Sequence, residues 1–220
     1  MAIVTPAQAS NTLNAYIIQV QRLLHDTNAQ FFSTPMLTTF INEARDKVAV
    51  DSMCVRVLQT FTLTAAQELY PFSALPYSVE TIGVLGMNVI FGALKYPVQR
   101  VSFSFLSART RAYVGYQQMP VMFAVYGENQ FYVGPVPDQN YPIEVDTSIL
   151  PNDLIDNTTV EQIPANWTIA VPYYAAYLAK QYQQMWAEAD NFEKDYWNKL
   201  KQCRAGSMQR IVGNIYTART

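Results

Sequence analysis

The 220-residue chain is 50% hydrophobic, 15% charged and 13% aromatic, with a formal net charge of −2. That length supports one domain or two small ones with a sizeable core, and the low charge with 15 Tyr, 11 Phe and 3 Trp excludes a disordered chain. Near-neutrality argues against unspecific coating of DNA, while abundant Tyr, Trp and Met suit buried contacts between chains.

The first predicted element is a helix, because Leu13, Tyr16, Ile17, Val20 and Leu24 recur at offsets of three and four. Ser10 or Asn11 caps its start, and Asp26-Thr27-Asn28 breaks it. Thr34 and Pro35 then signal a second helix, with Leu37, Phe40, Ile41, Ala44 and Val48 on one face. Its polar face takes Asn42, Glu43, Arg45, Asp46 and Lys47, and the two helices form an αα-hairpin.

After Asp51 the pattern changes to alternation. Residues 54–63 read as a strand, with 68–72 as its return in a hairpin. Residues 79–98 hold further strand material, in which Gly83, Gly86 and Gly92 favour bulges and turns over one long strand. Ser102 either caps a short helix bearing Phe105, Leu106 and Arg109, or the segment is an exposed loop. Strands at 121–126, 130–133 and 141–147 read as a β-meander, stiffened by Pro135 and Pro137.

Helical spacing returns at Val171, Tyr174, Ala175, Leu178, Tyr182 and Met185, where Pro172 implies either a later start or a kink. Asp190 with Glu193 resembles a capping box that opens a last helix lined by Phe192, Tyr196, Leu200 and Cys203. Residues 206–220 form a tail too short to be a stable helix alone. The expected fold is therefore α+β. Helices of 1–51 and 163–205 make one bundle, 52–162 an inserted antiparallel β-rich lobe, and 206–220 an extended arm.

Candidate chemistry is sparse. His25 is the sole histidine, and Cys54 and Cys203 make no CxxC pair, so a zinc ligand set is missing. A disulfide between the two cysteines is open, but reduced thiols in a cytosolic protein are the expectation. No apolar run reaches the ~20 residues that cross a bilayer, and residues 1–10 lack a signal-peptide pattern. Motifs of the GxSxG, GxGxxG, Walker A and HExxH types are absent. His25 closes the first helix, where a cation complements the helix dipole. The 17 Asp and Glu single out no catalytic pair. The residues predict no enzyme, no cofactor and no metal.

Charge falls in blocks. Lys95, Arg100, Arg109 and Arg111 are the only charges between Glu80 and Glu128, whereas Asp138, Glu144, Asp146, Asp153, Asp156 and Glu161 are all acidic. Basic residues resume from Lys199 with Lys201, Arg204, Arg210 and Arg219. Solvated faces account for such blocks in a monomer. In a ring, a head-to-tail interface needs two different, complementary patches, and the basic 95–111 stretch against a neighbour's acidic 138–161 stretch is a candidate. Arg100, Arg109, Arg111, Tyr113 and Tyr116 also form a loose aromatic-basic cluster, a weak footprint for nucleic acid.

One ordered series is more specific: residues 123–138 with their Pro-Val-Pro step, Tyr141-Pro-Ile-Glu-Val-Asp146, Leu150-Pro-Asn-Asp-Leu154, Ile163-Pro164 and the Tyr/Ala-rich helix. With Phe40-Ile-Asn-Glu-Ala-Arg-Asp46, it resembles the head-to-tail adaptor (connector) proteins of tailed bacteriophages, particularly of short-tailed phages, over roughly residues 34–200. The resemblance implies a virion structural protein at the head-tail interface, assembled in the host cytoplasm. It implies a homo-oligomeric ring, commonly of twelve subunits, between the portal and the tail nozzle or tube. DNA passes through the lumen during ejection, and no membrane is involved. It also implies that the helical bundle and the C-terminal arm contact the portal while the β-rich lobe faces the tail. Portal contact then falls to Arg204, Arg210, Ile211, Ile215 and Tyr216; extended, residues 206–220 reach about 50 Å. Arg100, Arg109, Arg111, Asp146, Asp153 and Asp156 are left to face a neighbour or the lumen. A β-lobed tail or receptor-binding module is the alternative, and a cell-wall hydrolase would need a carboxylate cluster that the sequence does not display.

Overall fold

The computed structural model describes residues 12–76, 81–111 and 115–208. The chain divides into two compact units, residues 1–54 with 151–220 and residues 55–150. Their secondary structure is α+β, with five α-helices and seven strands among the described residues.

The first unit is helical. α1 (Leu13–Leu23) starts at Thr12, whose Oγ1 accepts the Ala15 N–H. It ends on His25 in the left-handed region at φ 57°. There the His25 N–H donates to Arg22 and the Asp26 N–H to Gln21, a Schellman closure with histidine where glycine is usual. The buried Asp26 carboxylate then collects the backbone N–H groups of Gln30, Phe31 and Phe32 and shapes the loop into α2 (Thr34–Ser52). Burial pushes the Asp26 carboxyl up, but the three donors outweigh it and hold the group below its ordinary value.

α2 buries Leu37, Ile41, Ala44 and Val48 as the stripe predicts. Arg45, assigned by spacing to the polar face, is also fully buried. Its partner lies 116 residues away, so the pairing leaves no local trace.

α4 (Val171–Tyr182) carries Pro172 in its first turn, so the helix starts late rather than kinking. The capping box at Asp190 does not form: α5 (Trp186–Met208) begins four residues earlier, after Gln184 turns the chain at φ 61°. α5 also runs through Gly206. α2 and α4 each touch all three of the other long helices, and Ala175, Ala176 and Ala179 of α4 are fully buried in the packing.

The second unit is a seven-stranded curled sheet. β1 (Arg56–Leu63), β2 (Leu69–Pro71), β3 (Thr81–Phe91), β4 (Leu94–Arg100), β5 (Met122–Tyr126), β6 (Gln130–Gly134) and β7 (Tyr141–Ile149) assemble in the order β1-β7-β3-β4-β5-β6-β2. Three expectations are corrected, the first being that the sheet is wholly antiparallel: β4 runs parallel to β5. β2 pairs with β6 rather than returning along β1, and β7 leaves the β5–β6 hairpin to lie between β1 and β3. β3 is one long strand that absorbs register shifts at Gly83 and Gly86, then turns at Gly92, φ 62°.

The first and last strands of the sheet are neighbours in sequence, and aromatic rings gather where they meet. Phe61 of β1 sits edge-on to Tyr70 of β2 at 5.6 Å, and Tyr70 stacks on Phe131 at 5.5 Å. The Tyr70 hydroxyl accepts the Thr64 N–H at 3.0 Å, closing the intervening turn. Leu63, Val89, Phe123, Ile143 and Val145 fill the interior.

Between β4 and β5 the chain forms α3 (Phe103–Leu106), capped by Ser102 Oγ on the Phe105 N–H, and then a π-helical turn over Ser107–Arg111. The short-helix alternative is therefore the one adopted. Leu106 packs on Met122 and Ala124, while Phe103 meets Tyr126 and Tyr132 at 4.5 and 4.9 Å.

Candidate functional site

Two surface features, one in each unit, combine exposed apolar side chains with charge. In the helical unit the feature is the loop that leads from residue 151 back towards α4. Arg45 donates from Nε and Nη2 to the Glu161 carboxylate and from Nη1 to the Asn152 carbonyl at 2.7 Å. Asn42 bonds both to the Leu154 N–H, at 3.0 Å, and to its carbonyl. Leu154 is thereby sunk to zero exposure, while Ile155 beside it is 82% exposed and Val160 76%.

The tip of this loop is ordered by its own polar groups. Asp156 Oδ1 accepts the N–H and O–H of both Thr158 and Thr159. Those bonds, the Thr158 hydroxyl foremost, lower the carboxyl pKa to about 2. Asn157 Oδ1 accepts the Asn14 N–H in the first turn of α1 at 2.8 Å. Two apolar side chains therefore stand out from a hydrogen-bonded, acidic loop that also carries the exposed Asp153.

In the sheet unit the surface is a groove of about 770 Å³ beside α3, lined by Phe105, Arg109, Tyr116, Val121, Met122 and Pro135 among others. Phe105, Tyr116 and Val121 are about half exposed. The Arg109 guanidinium lies 5.8 Å from the Phe105 ring centre, placing a cation on a mainly apolar wall.

The remaining sequence-selected residues scatter. Arg100, exposed, ends β4 beside β5, and Arg111 closes the π-helical turn. Asp146 pairs with Arg56 across the β1–β7 ladder. Glu144 of the same acidic block takes Lys95 at 2.7 Å, which together with weaker influences holds its carboxyl below the ordinary value. Arg204 lies within α5 and donates to the Asp51 carbonyl at 2.6 Å. Nearby, the buried Tyr196 hydroxyl donates to the Asp51 carboxylate at 2.7 Å; burial first, and that carboxylate second, push its pKa strongly up. Arg210, Ile211, Ile215 and Tyr216 lie outside the described residues. The structure thus brings Asp153 and Asp156 onto one loop and sets Arg109 in a groove, while Asp146 is spoken for within the sheet.

The sequence reading grouped Arg109 with Tyr116 and placed Phe105 on the short helix, and all three line the groove; Ile155 and Val160 escaped it. Their only local signal is a pair of aliphatic residues among Asp153, Asp156 and the Asp-x-Thr turn.

His25 is exposed at the end of α1. Cys54 and Cys203 are not joined in a disulfide, and burial pushes both thiols up. No group of three or more His, Cys, Asp or Glu among the described residues is placed to hold a metal ion. No helix among them is long and apolar enough to cross a membrane.

Comparison with curated proteins finds no match. The family model described as SU10 adaptor protein matches residues 11–220, which takes in both units and both surfaces. The ordered series of Pro steps and helices seen in the sequence thus has its explanation: the chain belongs to the SU10 adaptor protein family, a phage head-to-tail adaptor family and hence one of virion structural components.

Proposed function

We propose that this chain is the subunit of a twelve-membered adaptor ring that joins the portal to the tail and forms part of the DNA conduit. The match to an adaptor family along nearly the whole chain carries this reading. Two dissimilar surfaces on one copy, an acidic apolar loop and a cationic apolar groove, supply what a closed head-to-tail ring requires. The four long helices act as the bundle facing the portal, residues 209–220 act as its docking arm, and the curled sheet faces the tail nozzle or tube.

The role is mechanical, and no catalytic step is assigned. A conduit works best when its wall holds phosphate weakly, because each Lys or Arg contact adds salt-dependent affinity. The internal pairing of Lys95 with Glu144 and of Arg56 with Asp146 lowers the free cationic charge of the sheet unit in that direction. Negative-stain imaging of the chain mixed with the portal ring of the same phage tests the proposal. An added ring on one face of the portal is expected; portal rings left bare would contradict it.

A further inference from the structure

We propose that the loop bearing Ile155 and Val160 on one copy seats in the groove walled by Phe105 and Val121 on the next copy, an inference that rests on the ring reading above.

The loop is built as a knob. Leu154 anchors it at zero exposure, and Asn42 bonds to Leu154 from both sides. Asp156 and Asn157 tie the tip internally and to α1. Because the frame already holds the backbone, docking the 82% and 76% exposed aliphatic side chains orders little further main chain. A knob of that kind left permanently in water gains nothing for the isolated subunit; covering it with apolar surface does.

The groove complements it in shape and charge. It is concave, apolar on Phe105, Tyr116, Val121 and Met122, and carries Arg109 on its wall. All charges between Glu80 and Glu128 are basic, whereas the knob carries Asp153 and Asp156. A knob-to-knob or groove-to-groove contact would set like charges together, so the pairing is directional. Because each copy owns one knob and one groove, repetition of the contact generates either a ring or an open helix, and the portal ring provides a template for closure.

The test uses the full chain carrying Ile155→Asp or Val121→Asp, followed by native mass spectrometry with and without portal. Both positions are exposed, so thermal melts should match the unaltered chain; Ile155→Ser stands in should Ile155→Asp unfold. Each single variant should weaken assembly by ~10- to 100-fold per contact and lose the ring. Mixed together they should give a heterodimer but no ring, since Val121→Asp still offers a knob and Ile155→Asp still offers a groove. Rings formed by Ile155→Asp at wild-type concentrations, or a mixture without heterodimer, would overturn the contact while leaving the ring reading in place. Val121→Asp rings that form normally yet fail to bind portal or tail would assign the groove to those partners and also overturn it. An unaltered chain that stays monomeric beside portal would remove the ring reading and the contact with it.

Discussion

Arg45 and Glu161, distant in sequence, form a bidentate ion pair with both side chains buried: Nη2 lies 2.9 Å from Oε1 and Nε 3.1 Å from Oε2. The same guanidinium reaches the Asn152 carbonyl and Asn42 Oδ1, so one side chain on α2 fastens the chain where it re-enters the helical unit. Arg45→Ala would strand a buried carboxylate and should cost about 3–5 kcal/mol. Arg45→Met with Glu161→Gln should recover part of that loss, because no unpaired charge remains. Urea unfolding of the two variants checks the difference; equal losses would mean that the pair is worth no more than its packing.

The loop tip should show a defined acid sensitivity. Asp156 has a folded pKa of about 2, below the ordinary 3.8. A depressed carboxyl contributes stability that is present above the unfolded value and is lost as pH falls through the folded one. The contribution should therefore fade between about pH 4 and pH 2 and be absent in Asp156→Asn. Carboxyl NMR titration of Asp156 reads this directly, and Thr158→Ala with Thr159→Ala should return the midpoint towards 3.8.

His25 tests whether the sole histidine does more than turn the chain. It occupies a left-handed position at φ 57°, which costs a non-glycine residue roughly 1–2 kcal/mol. Glycine relieves that strain but brings its own entropic cost of about 0.5–1 kcal/mol. His25→Gly should thus be neutral to stabilising, by up to ~1 kcal/mol in thermal unfolding, with assembly unchanged. Loss of assembly in a folded His25→Gly protein would give the imidazole a role that the Schellman turn does not account for.

These cases also show what was legible in the sequence. The α1 and α2 stripes, the β5–β6 hairpin and the Ser102 cap follow local rules and appear where those rules put them. The pairings of β1 with β7 and β2 with β6 do not, because nearest-neighbour hairpins were the default, whereas the sheet curls until its first two strands in sequence become its opposite ends. Asp190 mimicked a cap because the true turn rests on Gln184, a left-handed residue with no glycine to mark it. Burial of Arg45 was hidden for a similar reason: its helix spacing is that of a polar face, and only the fold delivers Glu161 to it. The knob and groove were visible merely as charge blocks and a loose aromatic-basic cluster; which residues stand out and which line a concavity is decided by tertiary packing.

The proposed docking arm can be tested apart from the fold. α5 extends through Met208, so a deletion confined to residues 209–220 leaves the described helix whole. Its circular dichroism should match that of the full chain, while portal binding in co-sedimentation should be lost. Undiminished binding would shift portal contact away from the arm and onto the helices.

The most direct measurement of the adaptor account is the mass added to one portal ring by the full-length chain, read by native mass spectrometry. The account predicts saturation at twelve copies of the 24.9 kDa chain, reached cooperatively as neighbours cover one another's grooves. Independent, non-saturating addition of single copies, or no added mass at all, would contradict it.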